Sequence, residues 1–355
     1  MMNKGFVSRA SIMCNEYLLK TEELFVSNKD KWIADFVGEF LDVCAQIRKI
    51  QDEIDQSPIS YLEYTMLLTN FLNRDYIVDI FTYGDESYLD ENQRFIASYD
   101  ISYLFIYFDE LWNKLLLERK RYVGNVSARD VKIIMMNALT DFYAYLVSIA
   151  RFAIAGCIDN NLFKGVNKSD NFYINVGKYM ESTQTVYREN KCKDIEALAN
   201  WFDEKLEKEY AYGDYSGLDF SDLSFSNTQL SYSSFRRAHL NNADFTGCAL
   251  VGTSFYKAGM EHCRLDNCCL NEADFSNAVL KDASFINAYG RAGLSDEKQW
   301  HHVGFLPVNF RNADLTNANF TRANLVGADF TGAVLDGANF TKAVLDGAVF
   351  NDIPE

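Results

Sequence analysis

From Tyr215 to Phe350 the chain sets a large apolar residue at almost every position whose number is divisible by five. The centres run Phe220, Phe225, Leu230, Phe235, Leu240, Phe245 and on through Phe275, Leu280 and Phe285. They resume as Phe305, Phe310, Leu315, Phe320, Leu325, Phe330, Leu335, Phe340, Leu345 and Phe350. Two residues ahead of most centres stands a small one, as at Ala238, Ala243, Cys248, Ala273 and Ala313. An α-helix would carry successive centres about 140° around its circumference. A strand would flip them to opposite faces, because five is odd and the strand period is two. Either way half of these side chains would face water. The beat therefore predicts a chain that turns once per repeat, a β-solenoid wound around its own apolar stack.

The repeats read "ADLTN", "ANFTR", "ANLVG" and "ADFTG", and in this they resemble the pentapeptide-repeat proteins over about residues 213–353. The resemblance implies a right-handed quadrilateral β-helix with four repeats per coil, the centre and the small residue pointing inward and the other three outward. On that geometry the alternation puts Phe on two opposite sides and Leu on the other two, stacked like on like. The structural core would comprise Phe275, Leu280, Phe285, Phe310, Leu315, Phe320, Leu325, Phe330, Leu335, Phe340, Leu345 and Phe350. Apart from Phe220 and Phe305, Phe occupies numbers ending in five before the gap and numbers ending in zero after it. The columns stay continuous if the excursion takes an odd multiple of five residues, about 15, with the loop at about 289–303. Outward Asp219, Asp244, Asp274, Asp314 and Asp329 are expected to satisfy backbone groups at the corners.

The pattern before residue 210 is different and predicts an all-α helical domain over 1–210. Ser27 with Asp30 three residues on is a helix-start signature, followed by Ile33, Phe36, Val37, Phe40, Leu41, Cys44 and Ile47 on one face. Ser57 before Pro58 is a second start, with "YLEYTMLLTNFL" behind it. Ser127 and Asp130 open a third, carrying Val131, Ile134, Met135 and Leu139. Further helices are expected over 102–121 and 194–209. The all-α domain is expected to cap the first coil of a β-helix running over 213–353.

Composition then narrows the classes. With 48% hydrophobic and 24% charged residues the chain is neither disordered nor collagen-like. A net charge of −16, with 17 acids against 10 bases after residue 210, argues against direct binding of nucleic acid or of an anionic membrane. No secretory signal is read at the start, and the apolar window from Phe142 to Ile158, broken by Arg151, reads as a buried helix. Eight scattered cysteines suit free thiols and a cytoplasmic location, with export by a non-classical route left open.

All four histidines, His239, His262, His301 and His302, lie after residue 210, so the first domain holds no Ser-His, Cys-His or Glu-x-x-His arrangement. No catalytic residues, cofactor or metal site are expected. His262, Cys263, Cys268 and Cys269 suggest zinc, but Cys263 and Cys268 fall at the small inward position and read as structural filler. The excursion "GLSDEKQWHHV" reads as a short helix capped by Ser295. It makes Arg291, Lys298, Trp300, His301 and His302 the candidate protein-binding loop. The alternative for Trp300 is that it folds back over the coil wall and only pins the loop.

These readings point to a non-enzymatic scaffold that displays a rigid acidic β-helix and a projecting loop to a protein partner. The resemblance implies an alternative, a DNA-mimicking binder of a type II topoisomerase (DNA gyrase) giving inhibition or quinolone-type protection. An effector or toxin with its activity in the helical domain is a third reading. An uncovered last coil would favour a homodimer through the C-terminal coil.

Overall fold

The computed structural model describes residues 3–54, 56–85, 93–178, 183–190, 195–204, 210–293, 298, 300 and 305–350. These fall into two compact units, one of Met1–Arg188 with Asp296–His302, the other of Glu189–Ser295 with Val303–Glu355.

The first unit is helix-rich but not all-α. Its fifty-residue α1 (Lys4–Glu53) starts where the Asn3 side chain accepts from the Phe6 N–H. Buried residues run along one face from Phe6, Ala10, Met13 and Tyr17 to Phe25 and, past the more exposed turns of residues 26–31, on from Trp32 to Phe36, Phe40 and Ile47. That stripe outweighs the start signal at Ser27, which lies inside the helix with its hydroxyl donating to the Glu23 carbonyl at 2.8 Å.

The start expected at Ser57 is also wrong: Ile59–Met66 is a strand, β1, with the short α2 (Leu68–Leu72) after it. Strands β2 (Ile77–Tyr83), β3 (Arg94–Asp100), β4 (Lys168–Lys178) and β5 (Thr183–Asn190) complete a five-stranded sheet of order β3-β2-β1-β4-β5. At the centre, β1 pairs antiparallel with β2, Glu63 opposite Phe81, and parallel with β4, Glu63 opposite Asn175. Every residue of β1 after Tyr61 is buried, so the strand shows none of the two-residue alternation by which a half-exposed strand betrays itself.

The remaining helices of this unit pack against α1, and α4 also meets β4. They are α3 (Ile106–Glu118), α4 (Ala128–Cys157) and α5 (Asn161–Lys164). The capping box expected for α4 is formed: Ser127 Oγ accepts from the Asp130 N–H, and Asp130 accepts from the Ser127 N–H. Among the described residues α4 alone is long and apolar enough to cross a bilayer, yet most of that window is packed inside the unit. Its rings meet α1 and α3: Phe25 lies 5.1 Å from Tyr145, and Phe108 5.0 Å from Phe142. Phe36 of α1 packs 5.3 Å from Tyr64 of β1.

The second unit opens with α6 (Ile195–Asp203) and then coils. Parallel bridges join Asp214 to Ser234, Asp219 to His239, Ser224 to Asp244 and so on, so one coil takes twenty residues and four pentapeptides. The first coil is capped by α6, which belongs to this unit and not to the helical domain expected to supply the cap. Phe202 of α6 lies 5.2 Å from Tyr215 and 4.9 Å from Phe225, closing the first coil.

Within each repeat the N–H three residues after a centre donates back to the centre's carbonyl, as from Ala243 to Leu240 at 3.0 Å. The residue two after the centre has positive φ, 60° at Asn242 and 74° at Gly247. This is a type II turn, which is why Asn and Gly recur there.

The phenylalanines stack as the alternation requires. In one column Phe235, Phe255, Phe275, Phe310, Phe330 and Phe350 follow one another at 4.9–5.4 Å, each pair within 11° of parallel. A second column, with Phe285, Phe320 and Phe340, meets the first edge to face, as at 88° between Phe285 and Phe310. Across the excursion bridged partners are thirty-five residues apart, Tyr289 with Asn324, an excess of fifteen over the ordinary coil.

Where the coil is left, Gly290 takes an inward place between Leu270 and Leu325, and Val308, from where the coil resumes, fills the space: a Cβ on Gly290 would meet Val308 Cγ2 within 2.4 Å. The core residues from Phe275 to Phe330 are fully buried, whereas Leu335, Phe340 and Leu345 are half-buried and Phe350 is 39% exposed.

Candidate functional site

Of the five candidate loop residues, His301 and His302 lie outside the described residues, as does most of the expected short helix. Arg291 remains part of the coil wall, its carbonyl accepting from Asn271 Nδ2 at 2.8 Å. Lys298 and Trp300 belong to the first unit. Asn15 of α1 holds both by their backbone: its Nδ2 donates to the Lys298 carbonyl at 2.9 Å, and its Oδ1 accepts from the Trp300 N–H at 2.8 Å.

The indole is also committed. Trp300 Nε1 donates to the Tyr145 hydroxyl at 2.8 Å, and that hydroxyl donates to Glu22 Oε2 at 2.8 Å. The partners of Trp300 are thus α1 and α4. Burial raises the Glu22 carboxyl above the usual carboxylate range, and the hydrogen bonds from Tyr145 and Trp300 pull the other way without cancelling it.

Beside this relay α1, α4 and Trp300 line an open cavity of about 850 Å³, with Cys14, Leu18, Thr140, Asp141 and Ala144 among its walls. Burial pushes the Asp141 carboxyl up. It also takes the Cys14 thiol to about 11, with Asp141 adding to the effect, so the thiol stays protonated at neutral pH. Sequence reasoning did not find this cavity. The two helices that form it come together from residues more than a hundred apart, and neither carries a motif.

On the solenoid the outward acids do what was expected of them. Asp219, Asp244, Asp274, Asp314 and Asp329 each accept from the backbone N–H two residues on, at 2.9–3.2 Å. Many also face a cation one coil away: Arg311 Nη1 lies 3.0 Å from Asp329, Lys281 Nζ 3.4 Å from Asp314, and Arg264 Nη1 3.9 Å from Asp244. Arg236 and Lys257 flank the ring of Tyr256 at 4.7 and 5.1 Å, a basic-aromatic cluster on an otherwise acidic chain.

Cys248, Cys263 and Cys268 point inward and donate to the carbonyls of Phe225, Leu240 and Phe245, and burial lifts Cys263 to about 12. His262 points outward instead, 3.9 Å from Asp282. The residues that suggested zinc are thus divided between core and surface.

Two family models match the chain: Pentapeptide repeats, in eight copies, over residues 313–352, and Pentapeptide repeat region over residues 238–306. No curated protein matches it. Among solved structures, a pentapeptide repeat protein from the thylakoid lumen of Arabidopsis thaliana is 29% identical, covering 33% of this chain and 68% of its own, with a TM-score of 0.22. HetL from the cyanobacterium Nostoc, involved in heterocyst differentiation regulation, is 23% identical over 40% of this chain and 79% of its own, with a TM-score of 0.20. Full-length QnrB1, a plasmid-mediated fluoroquinolone resistance protein, is 16% identical over 39% and 94%, with a TM-score of 0.18. At such TM-scores these likenesses carry no argument, and the assignment rests on the family models and the repeat itself. Residues before 238 and residues 307–312 fall outside both models, and residues 238–306 and 313–352 match models of pentapeptide repeats.

Proposed function

We propose that the protein is a non-enzymatic scaffold whose repeat region, following the right-handed four-sided course of its family, presents a rigid surface to a protein partner. The observation that carries this reading is the way the repeats spend their side chains. Inward positions are filled by stacked Phe and Leu, leaving no room for a substrate, while outward positions are fixed coil after coil by the Asp and Asn turns. Such a surface suits recognition of another folded protein.

The test is charge reversal on the outward rows, Arg236→Glu with Lys257→Glu, in tagged protein recovered from its native cell after cross-linking. A partner held by the parent and lost by the variant supports the reading. Substrate turnover by the purified chain, lost when a carboxylate of the first unit is neutralised, would replace it with an enzymatic one.

The gyrase reading is the weaker, because the outward acids are interrupted by the paired cations Lys281, Arg264 and Arg311 and form no continuous anionic band. Gyrase supercoiling that is unchanged by excess protein removes it. Self-association through the last coil belongs to the same proposal, since Val344, Val349 and Phe350 are exposed there. Light scattering at rising concentration decides it: a mass fixed at that of one chain excludes the dimer.

A further inference from the structure

We propose that the cavity between α1, α4 and Trp300 is a binding site for a small organic monocation, an ammonium carried on an apolar body. The site stands apart from the protein-binding reading, which uses the repeat region. Its size, about 850 Å³, lies within the range of small-molecule sites.

The chemistry of the walls selects the ligand. Ile12, Leu18 and Ala144 supply apolar surface, and Trp300 supplies an aromatic ring. The indole N–H is already given to Tyr145, so what Trp300 has left to offer is its π face. The Tyr145–Glu22 relay and the two bonds from Asn15 hold that ring in place before any ligand arrives.

The charged contribution is Asp141. Its carboxylate lines the cavity, is half-buried, and meets no hydrogen-bond donor and no cation among the described residues. Burial holds its affinity for a proton above the ordinary. A half-buried carboxylate beside an aromatic ring and aliphatic walls is completed by an ammonium: the charge meets Asp141 and the body lies on Leu18 and Trp300. Lys298 also lines the cavity and disfavours a second positive charge in the ligand.

Calorimetric titration of the full chain with phenethylamine tests this, with phenethyl alcohol, 3-phenylpropionate and cadaverine as the uncharged, anionic and dicationic comparisons. The expected result is saturable binding of phenethylamine with a change in Trp300 fluorescence that the Trp300→Phe variant lacks. The alcohol and the acid should not bind measurably, and cadaverine should bind more weakly than the monoamine. Asp141→Asn should weaken phenethylamine roughly tenfold or more, as for loss of one charged hydrogen-bond partner. Because Ile12 is 57% exposed, Ile12→Trp obstructs the cavity with little demand on the fold, and it should abolish binding as well. The proposal fails if amine and alcohol bind alike, if no titration saturates, or if both variants bind phenethylamine as the parent does.

Discussion

The two units obey different logics. In the repeat region each residue's environment is fixed by its place in a five-residue cycle, and Phe310 meets the same neighbours one coil before and after it, Phe275 at 5.1 Å and Phe330 at 4.9 Å. In the first unit, environment comes from segments far apart in the chain. Glu63 sits between Phe81 and Asn175, and Asn175 Nδ2 donates to its carboxylate across 112 residues. A periodic unit can be broken locally, whereas a globular one transmits a loss throughout.

The largest expected effect tests that contrast directly. Phe310→Ala removes a ring from a dry stack and should destabilise the repeat region by about 3–5 kcal/mol, and Phe36→Ala should do the same to the first unit. Hydrogen exchange should then show Phe310→Ala loosening amides in the coils next to it, and Phe36→Ala lowering protection across the whole sheet. Uniform loss in both variants would erase the distinction.

Next in size is the exchange at the excursion. Gly290→Leu should destabilise by about 1–3 kcal/mol through its clash with Val308, and adding Val308→Ala should recover most of it in chemical denaturation. Non-recovery would mean that the two side chains do not share one space.

Ser127→Ala, which removes the cap of α4, should lower the stability of the first unit by about 1 kcal/mol. Among the described residues between Phe225 and Phe320 no single cap plays a comparable part, because each coil is closed by its neighbours.

The smallest effect is one of pH. The carboxyl of Glu22 has its folded value raised above 4.5, so the folded state holds that proton more tightly than the unfolded one. The contribution is complete below the unfolded value and is lost as pH rises through the raised folded value. Glu22→Gln keeps an acceptor for Tyr145 and no longer titrates. Thermal melts at several pH values should show the variant gaining on the parent as pH rises above 4.5, and a constant difference would rule out the proton as the cause.

Legibility followed the same division. The beat of Phe and Leu gave the inward columns, the outward Asp turns and the fifteen-residue excess, because each depends only on position within a short cycle. The five-stranded sheet was hidden: β1 is buried on both faces, and its run of apolar residues is compatible with a buried helix. Ser27 carries a valid local start signal that the buried residues on both sides of it, Phe6 to Phe25 and Trp32 to Ile47, overrode. Trp300 could be singled out in the sequence, but its partners Tyr145 and Asn15 lie 155 and 285 residues away, beyond any local pattern.

The glycine at 290 has a consequence for how such a rod can change. Opening a coil to let a segment out leaves a trace in the interior, a leucine-sized absence filled by a valine from further along the chain. Neither position is free to revert alone, so the excursion and the packing beneath it must be gained or discarded as a couple. Ancestors or descendants lacking the segment should therefore be recognisable from inside the rod, by a large apolar residue where Gly290 stands and a small one where Val308 stands.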